Sequence, residues 1–110
     1  MPEMNKTASG FDENVAGALC YALGWVTGVV FLLTEPSNRF VRFHAWQSTF
    51  VFGAACLATL LALPIPLIGW IFAIVIFYGS VALWLILMFK AYQGERFKVP
   101  VAGDMAEQRI

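Results

Sequence analysis

Three long segments without a charged side chain constrain this chain more than any other feature. They are Val15–Leu33, Ala45–Leu63 and Leu67–Phe89, with 19, 19 and 23 residues. At a rise of about 1.5 Å per residue, a helix of each length crosses a hydrocarbon layer of about 30 Å. Because lipid offers the backbone no hydrogen-bond partner, each segment is expected to be helical. The pattern predicts an all-α fold, an integral membrane bundle of three transmembrane helices with short loops.

The composition also indicates a membrane protein. Hydrophobic residues make up 60% of the 110 residues and charged residues only 13%. A soluble domain averages about 45–50% apolar and about 25% charged residues, so the surplus of apolar side chains is expected to face the lipid bilayer. We interpret residues 1–110 as one domain with spans at about 14–33, 41–63 and 67–92 and short polar tails.

Turn signals and basic residues predict the topology. The segments Thr34–Asn38 (TEPSN) and Pro64–Pro66 (PIP) interrupt the apolar runs with prolines, and the second is so short that the spans on either side should form an antiparallel hairpin. With three spans, the N-terminal tail and the PIP turn share one side of the membrane, which carries Lys6 alone. The other side receives Arg39, Arg42, Lys90, Arg96, Lys98 and Arg109. Since lysine and arginine favour the cytoplasmic side, we expect a multi-pass protein of the plasma membrane with its N-terminus outside and its C-terminus in the cytoplasm.

The sequence offers no recognisable reaction centre. The three spans contain no ionisable carboxylate or lysine, and no nucleotide-binding, hydrolase or zinc-protease motif occurs. One histidine and two separated cysteines do not have the spacing of a zinc site. A net charge of zero gives no general attraction to nucleic acid. The sequence therefore predicts a non-enzymatic protein without a cofactor, a metal or a nucleic-acid partner.

Small residues recur at helical spacing and predict close helix packing. In the first span Gly17, Gly24 and Gly28 would share one face of a continuous helix, and in the second Ala54, Ala58 and Ala62 follow each other at steps of four. Small side chains let membrane helices approach closely. Two interpretations remain open: packing within one three-helix bundle, and homo-oligomerisation through Gly24-x-x-x-Gly28.

The segment RFVRFHAWQS gathers polar and aromatic groups at the start of the second span. Arg39, Arg42 and Trp46 are typical of an anchor at the membrane interface. His44, Gln47 and Ser48 lie on another stripe of the helix, which favours a hydrogen-bonded clamp between helices, for instance to Tyr92 or Gln93. The possible contact residues at the end of the third span are Lys90, Tyr92, Gln93 and Gly94. Contact with a substrate or partner, or a pH response of His44, are the alternatives.

Three stretches carry a resemblance to a known family: FVRFHAWQS, NVAGALCYALGWVTG and KAYQGERFKVPVAGDMAE. Together, over roughly Asp12 to Glu107, the chain resembles the small three-span membrane proteins of archaea and bacteria. That family has no established function and is often described as similar to the Tic-twenty component of the chloroplast import machinery. The resemblance implies a helical integral membrane protein, with protein translocation or membrane-protein biogenesis as its process.

For function we expect a protein that associates with itself or with other membrane proteins. The alternative is a small-solute or ion transport unit formed by oligomers. Such a unit needs a polar lumen, for which the spans offer Thr27, Ser48, Thr49, Thr59 and Ser80.

Overall fold

The computed structural model describes residues 11–35 and 38–109, and within them it is entirely helical. The helices are α1 (Glu13–Leu19), α2 (Trp25–Thr34), α3 (Arg39–Ala62), α4 (Ile68–Tyr92) and α5 (Ala102–Glu107). The all-α prediction is confirmed for these residues. Lys6, which entered the charge count, and Pro36, which entered the predicted turn, lie outside the described residues.

Helices α3 and α4 form an antiparallel hairpin, as the PIP turn predicts. They have 24 and 25 residues, and by length and composition both can cross a membrane. The Asn38 side chain caps α3 by accepting a hydrogen bond of 3.0 Å from the Val41 amide. At the opposite end, Leu67 has a φ of 64° and the Ile68 amide donates to the Pro66 carbonyl at 2.8 Å. This γ-turn directs the chain straight into α4.

The prediction of a continuous first span is wrong, and with it the count of three spanning helices. Helix α1 ends at Leu19, and α2 begins only at Trp25 and has 10 residues, or about 15 Å of length, half of a hydrocarbon layer. Between them Gly24 adopts a φ of 64° and a ψ of −136°. A side chain rarely tolerates that conformation, so glycine at this position allows the chain to turn back.

The neighbours of α1 and α2 along α3 show that the chain reverses direction. A Cβ atom on Gly17 would lie 3.3 Å from the His44 ring, and one on Gly24 would lie 3.6 Å from the Phe52 side chain. A Cβ atom on Gly28 would lie 2.9 Å from the carbonyl of Ala45, which precedes Phe52 on α3. Helices α1 and α2 therefore form a re-entrant hairpin, the α1–α2 hairpin, which reaches about half-way along α3.

Both ends of the α1–α2 hairpin lie where α3 begins and α4 ends. Asn14 donates to the Tyr92 carbonyl at 2.8 Å, and Asn38 donates to the Glu13 carboxylate at 3.3 Å. The prediction that the start of the first apolar segment lies on the opposite side from the start of α3 is thus wrong. We call this end of the molecule the charged end, and Leu63–Leu67 the tip. The described lysines and arginines all belong to segments at the charged end, whereas the tip has no charged residue.

The segment after α4 folds back onto α3, and we call Gly94–Arg109 the tail. Gly94 follows the end of α4 with a φ of 82°, the left-handed conformation in which glycine commonly terminates a helix. Helix α5 packs on α3 through the buried residues Gly103 and Ala106. The Lys98 ammonium lies 2.8 Å from the Glu107 carboxylate. The hydrogen bond to that carboxylate raises the pKa of the lysine above its ordinary value.

Candidate functional site

Three fully buried polar side chains meet between α1 and α3 and form the candidate site. Tyr21 lies in the turn that follows α1, and His44 and Gln47 lie three residues apart on one face of α3. The Tyr21 hydroxyl is 2.7 Å from His44 Nδ1 and 2.9 Å from Gln47 Nε2. All three side chains have an exposed fraction of 0%. We call them the polar triad.

The proton positions in the polar triad follow from its neighbours. His44 Nε2 lies 3.0 Å from the Glu95 carbonyl oxygen. Because a carbonyl only accepts, Nε2 must carry the proton and donate it. In a neutral imidazole Nδ1 then accepts from the Tyr21 hydroxyl, whose oxygen accepts in turn from the Gln47 amide. Each of these groups has its partner, so the triad is built to hold segments together.

Gln47 forms hydrogen bonds to the tail in addition to its bond to Tyr21. Its Nε2 donates to the Phe97 carbonyl at 2.8 Å, and its Oε1 accepts from the Val99 amide at 2.9 Å. A non-helical segment cannot satisfy these backbone groups by itself, and leaving them unpaired away from water is costly. The predicted clamp thus joins α3 to the tail and to Tyr21.

The predicted partners of that clamp, Tyr92 and Gln93, are wrong. The side chain of Tyr92 is 61% exposed, and it is the backbone carbonyl of this residue that takes part in packing, as the acceptor for Asn14. Gln93 caps the end of α4. His44 and Gln47 hydrogen-bond instead to backbone groups of the tail, at Glu95, Phe97 and Val99.

Polar side chains from three helices donate hydrogen bonds to the backbone carbonyls that the break between α1 and α2 leaves outside a helix. The Trp84 indole N–H donates to the Tyr21 carbonyl at 2.7 Å, and the Ser48 hydroxyl donates to the Gly24 carbonyl at 2.8 Å. Thr27 donates to the Cys20 carbonyl at 3.1 Å. Irregular backbone at membrane depth is tolerated where protein groups satisfy it, and these three side chains do so. Ser48 was among the predicted contacts, whereas sequence reasoning missed the roles of Trp84 and Asn14.

The arginines and Trp46 of the RFVRFHAWQS segment lie on the outer side of α3, whereas the side chains of Phe40 and Phe43 are buried. Arg39 is exposed at the first position of the helix. Arg42 donates to the Arg109 carbonyl at 3.2 Å. The Arg109 guanidinium lies 5.7 Å from the centre of the Trp46 ring. These positions suit an interfacial anchor, with cations beside aromatic rings at one level of the helix. At the end of α4, Lys90 pairs with Glu95 at 3.6 Å.

The predicted packing glycines have different environments. Gly17 and Gly28 contact α3 so closely that an added Cβ would lie 2.7 Å from the Phe40 ring and 2.9 Å from the Ala45 carbonyl, respectively. Gly24 lies at the helix break, so the prediction that it shares a helical face with Gly28 is wrong.

The predicted alanine stripe of α3 is only partly packed. Ala54 and Ala58 are exposed, whereas Ala62 contacts Gly69 beside the tip.

An apolar groove of about 330 Å³ opens beyond the end of the α1–α2 hairpin. Its lining includes Gly24, Phe52, Cys56, Thr59, Ala73 and Ser80. Here α3 and α4 continue toward the tip without a third helix beside them. We call this feature the groove. Cys56 is exposed there, whereas Cys20 is buried near the break.

The fold and the site define a small helical membrane protein whose buried polar groups are used for internal hydrogen bonds. In residues 11–35 and 38–109, no three histidine, cysteine or acidic residues come together to hold a metal ion. The chain belongs to the magnetosome magnetite crystal formation protein family, whose model matches residues 12–106.

Relatives of similar length come from archaea. A UPF0132 membrane protein of Methanocaldococcus jannaschii is 45% identical over 105 residues, covering 96% of this chain and 94% of the relative. A second one from that organism is 46% identical over 92% of this chain and 72% of its own length. A UPF0132 membrane protein of Archaeoglobus fulgidus is 46% identical, covering 89% of this chain and 95% of the relative. No solved structure matches the chain. These matches support a membrane protein family of unknown function and show no link to the Tic-twenty component.

Proposed function

We propose that this protein is a non-enzymatic structural subunit that associates with further copies of itself in the plane of the membrane. The observation that supports this proposal is the groove. Toward the tip, α3 and α4 present small side chains, among them Ala55, Ala73 and Ser80, on the side where the α1–α2 hairpin has ended. Membrane helices associate through such small residues, because close backbone approach supplies the attraction that hydrophobicity cannot supply in lipid.

The hydrogen bonding of the hydroxyl side chains favours self-association over the alternative of a transport unit. Thr49 donates to the Ala45 carbonyl and Thr59 to the Ala55 carbonyl, both at 2.8 Å. Thr27 and Ser48 donate to the backbone of the helix break. Four of the five groups considered for a polar lumen therefore serve the backbone of the chain, and the groove itself is apolar.

The proposed location is the plasma membrane, with the charged end in the cytoplasm. The positive charges of Arg39, Arg42, Lys90 and the tail support this orientation, since lysine and arginine near the ends of spanning segments favour the cytoplasmic side. The start of α1 then lies on the cytoplasmic side together with the tail. A cysteine introduced at Gln108 should resist membrane-impermeant reagents in intact cells, and labelling from outside would contradict the orientation.

The process served by the subunit is proposed from the resemblance alone. Protein translocation or membrane-protein biogenesis is the process that the Tic-twenty likeness implies, and crosslinking to nascent membrane proteins tests it. Magnetite crystal formation is what the name of the matching family states, and no step of the present proposal uses it.

Self-association can be tested with a cysteine that the chain already has. Cys56 lies in the groove, whereas Cys20 is buried. Mild oxidation of native membranes should therefore give a disulfide-linked dimer that Cys56→Ser abolishes and Cys20→Ser retains. A chain that stays monomeric by light scattering in mild detergent and gives no dimer on oxidation would contradict the proposal.

A matched pair of substitutions on α4 tests whether the groove is the contact. Ala73 lines the groove, whereas the neighbouring Ile74 is 57% exposed and does not line it. Ala73→Phe should fill the groove and suppress the Cys56 dimer, and Ile74→Phe should leave the dimer unchanged. Equal crosslinking in the two variants would show that the copies meet elsewhere.

A further inference from the structure

The tail contains a strained turn at Val101, whose apolar side chain is exposed. Val101 has a φ of 70° and a ψ of −59°, and the Ala102 amide donates to the Pro100 carbonyl at 2.8 Å. This is a γ-turn with positive φ, which is rare and is unfavourable for a β-branched residue. Despite that cost, the Val101 side chain is 70% exposed. An apolar environment outside the protein would favour this outward position of the side chain.

The turn lies beside the uncharged part of α3. Gln47 binds the tail at Phe97 and Val99, and a pocket lined by the tail extends along α3 to Ala54. The last cation on α3 is Arg42, and a helix rises about 8 Å from there to Gln47 and about 18 Å to Ala54. The tail therefore extends along α3 past the level of Arg39 and Arg42.

An apolar pocket lies between the tail and α3. It has a volume of about 430 Å³ and is lined by Phe50, Val51, Ala54, Val99, Val101 and Met105. We call it the tail pocket. It continues into the exposed stripe of α3 at Leu57 and Leu61, which follow Ala54 at helical spacing. That stripe belongs to a helix that can cross the membrane, so the pocket opens toward the acyl chains around α3.

We propose that the tail dips into the leaflet at the charged end and that a phospholipid acyl chain occupies the tail pocket. The backbone hydrogen bonds of the tail permit this position. The Phe97 carbonyl and the Val99 amide are bound by Gln47, and the Gly103 amide donates to the Val99 carbonyl at 2.7 Å. A backbone segment survives in the hydrocarbon region only where protein groups satisfy it in this way.

The tip of the α3–α4 hairpin offers an internal precedent for the turn. Leu67 has a φ of 64°, follows a proline, forms the same type of hydrogen bond and is 71% exposed. The molecule thus contains two proline-initiated γ-turns with outward apolar residues, one at the tip and one in the tail. Two charged groups flank the tail turn: the Lys98 ammonium pairs with the Glu107 carboxylate, and the Arg109 guanidinium lies beside the Trp46 ring.

Depth-dependent fluorescence quenching tests the position of Val101. In a Cys56→Ser background, where the remaining Cys20 is buried, Val101→Cys is labelled with an environment-sensitive dye. The full chain is placed as single copies in phosphatidylcholine nanodiscs, so that self-association plays no part. We expect blue-shifted emission, with stronger quenching by nitroxide-labelled lipid than by iodide. Gln108→Cys, on an exposed position of the tail, should show the reverse order.

Two results would overturn the proposal. Stronger quenching of the Val101 label by iodide would place the tail in water, and shielding from both quenchers would mean that protein covers the pocket. Met105→Cys provides a second label on the same pocket if the Val101 variant does not fold. Quenching of this label by lipid supports the proposal, and its quenching by iodide contradicts it.

Discussion

The two halves of the α3–α4 hairpin differ in how the protein covers them. Near the charged end, the α1–α2 hairpin and the tail pack around α3, and Leu87 on α4 is fully buried. Toward the tip, α3 and α4 have only each other among the described helices, and Phe77 on α4 is 62% exposed. We call these the packed half and the bare half.

The difference shows what assembles a membrane protein of this size. Apolar side chains are abundant in both halves, so hydrophobicity cannot explain why only one half gathers additional elements. The packed half contains the polar triad together with Asn14, Ser48 and Trp84, each of which donates to a backbone carbonyl outside its own helix. Hydrogen bonds to irregular backbone therefore determine where the tertiary structure forms.

The largest effect should come from removing Gln47. Gln47→Leu leaves the Phe97 carbonyl and the Val99 amide without partners and should lower the free energy of unfolding by about 3 kcal/mol. Reversible unfolding in mixed micelles measures the change. The control is Thr59→Val in the bare half, which removes a bond within one helix and should cost about 0.5 kcal/mol. Similar losses of unfolding free energy in the two variants would show that the packed half is not held together more strongly than the bare half.

A pair of glycine substitutions compares the packing of the two halves. A Cβ at Gly28 would meet the Ala45 carbonyl at 2.9 Å, whereas one at Gly79 would have nothing within 4 Å. Gly28→Ala should cost about 2 kcal/mol through overpacking. Gly79→Ala should be neutral or add about 0.5 kcal/mol, because alanine has less backbone entropy to lose. Thermal denaturation followed by circular dichroism distinguishes the two, and a stable Gly28 variant would refute the contact of α2 with α3.

Substitutions of His44 separate hydrogen bonding from mere volume. His44→Ala loses the bonds to Tyr21 and to the Glu95 carbonyl and should cost about 1.5 kcal/mol. His44→Gln keeps a donor on the same helix face and should recover roughly half of that loss. The readout is the unfolding midpoint together with protease cleavage of the tail. If alanine leaves both unchanged, the polar triad does not hold the tail.

Among the substitutions in the packed half, the smallest loss of stability is expected at the break between α1 and α2. Trp84→Phe removes the indole donor to the Tyr21 carbonyl, which keeps its second donor, the Gly24 amide. A loss of about 1 kcal/mol follows. Trp70→Phe removes a comparable bond to the Leu63 carbonyl in the bare half, where the ring is exposed, and should change stability by less. A larger loss of stability in Trp70→Phe than in Trp84→Phe would contradict the difference between the packed half and the bare half.

Charge and apolar length predicted α3, α4 and their connection, because two prolines leave room only for a tight turn. The same signals failed for the first apolar segment, since a run from Val15 to Leu33 has the same hydropathy whether it is straight or folded at Gly24. Membrane helices contain many glycines, so Gly24 alone does not signal a break. The bonds that permit the break come from Ser48 and Trp84, far away in the sequence.

The sequence predicts His44 and Gln47 of the polar triad but not Tyr21, and it does not predict the backbone groups that these side chains bind. The sequence indicates His44 and Gln47 because an imidazole and an amide are unusual on the inner face of a membrane helix. Their partners include backbone groups of Glu95, Phe97 and Val99, which every residue carries and no side-chain pattern reveals. Side-chain polarity at equal depth therefore indicates Tyr92 and Gln93 instead of these backbone groups.

The uncharged tip has a consequence for how the chain enters a membrane. When insertion starts from the charged end, only the neutral residues around Leu63–Leu67 have to cross the hydrocarbon layer, and no described lysine, arginine or carboxylate follows them. Translocating a charged side chain is the costly part of inserting a helix. The α3–α4 hairpin can therefore enter first as a unit, and the α1–α2 hairpin and the tail can fold against it from the side of the charged end.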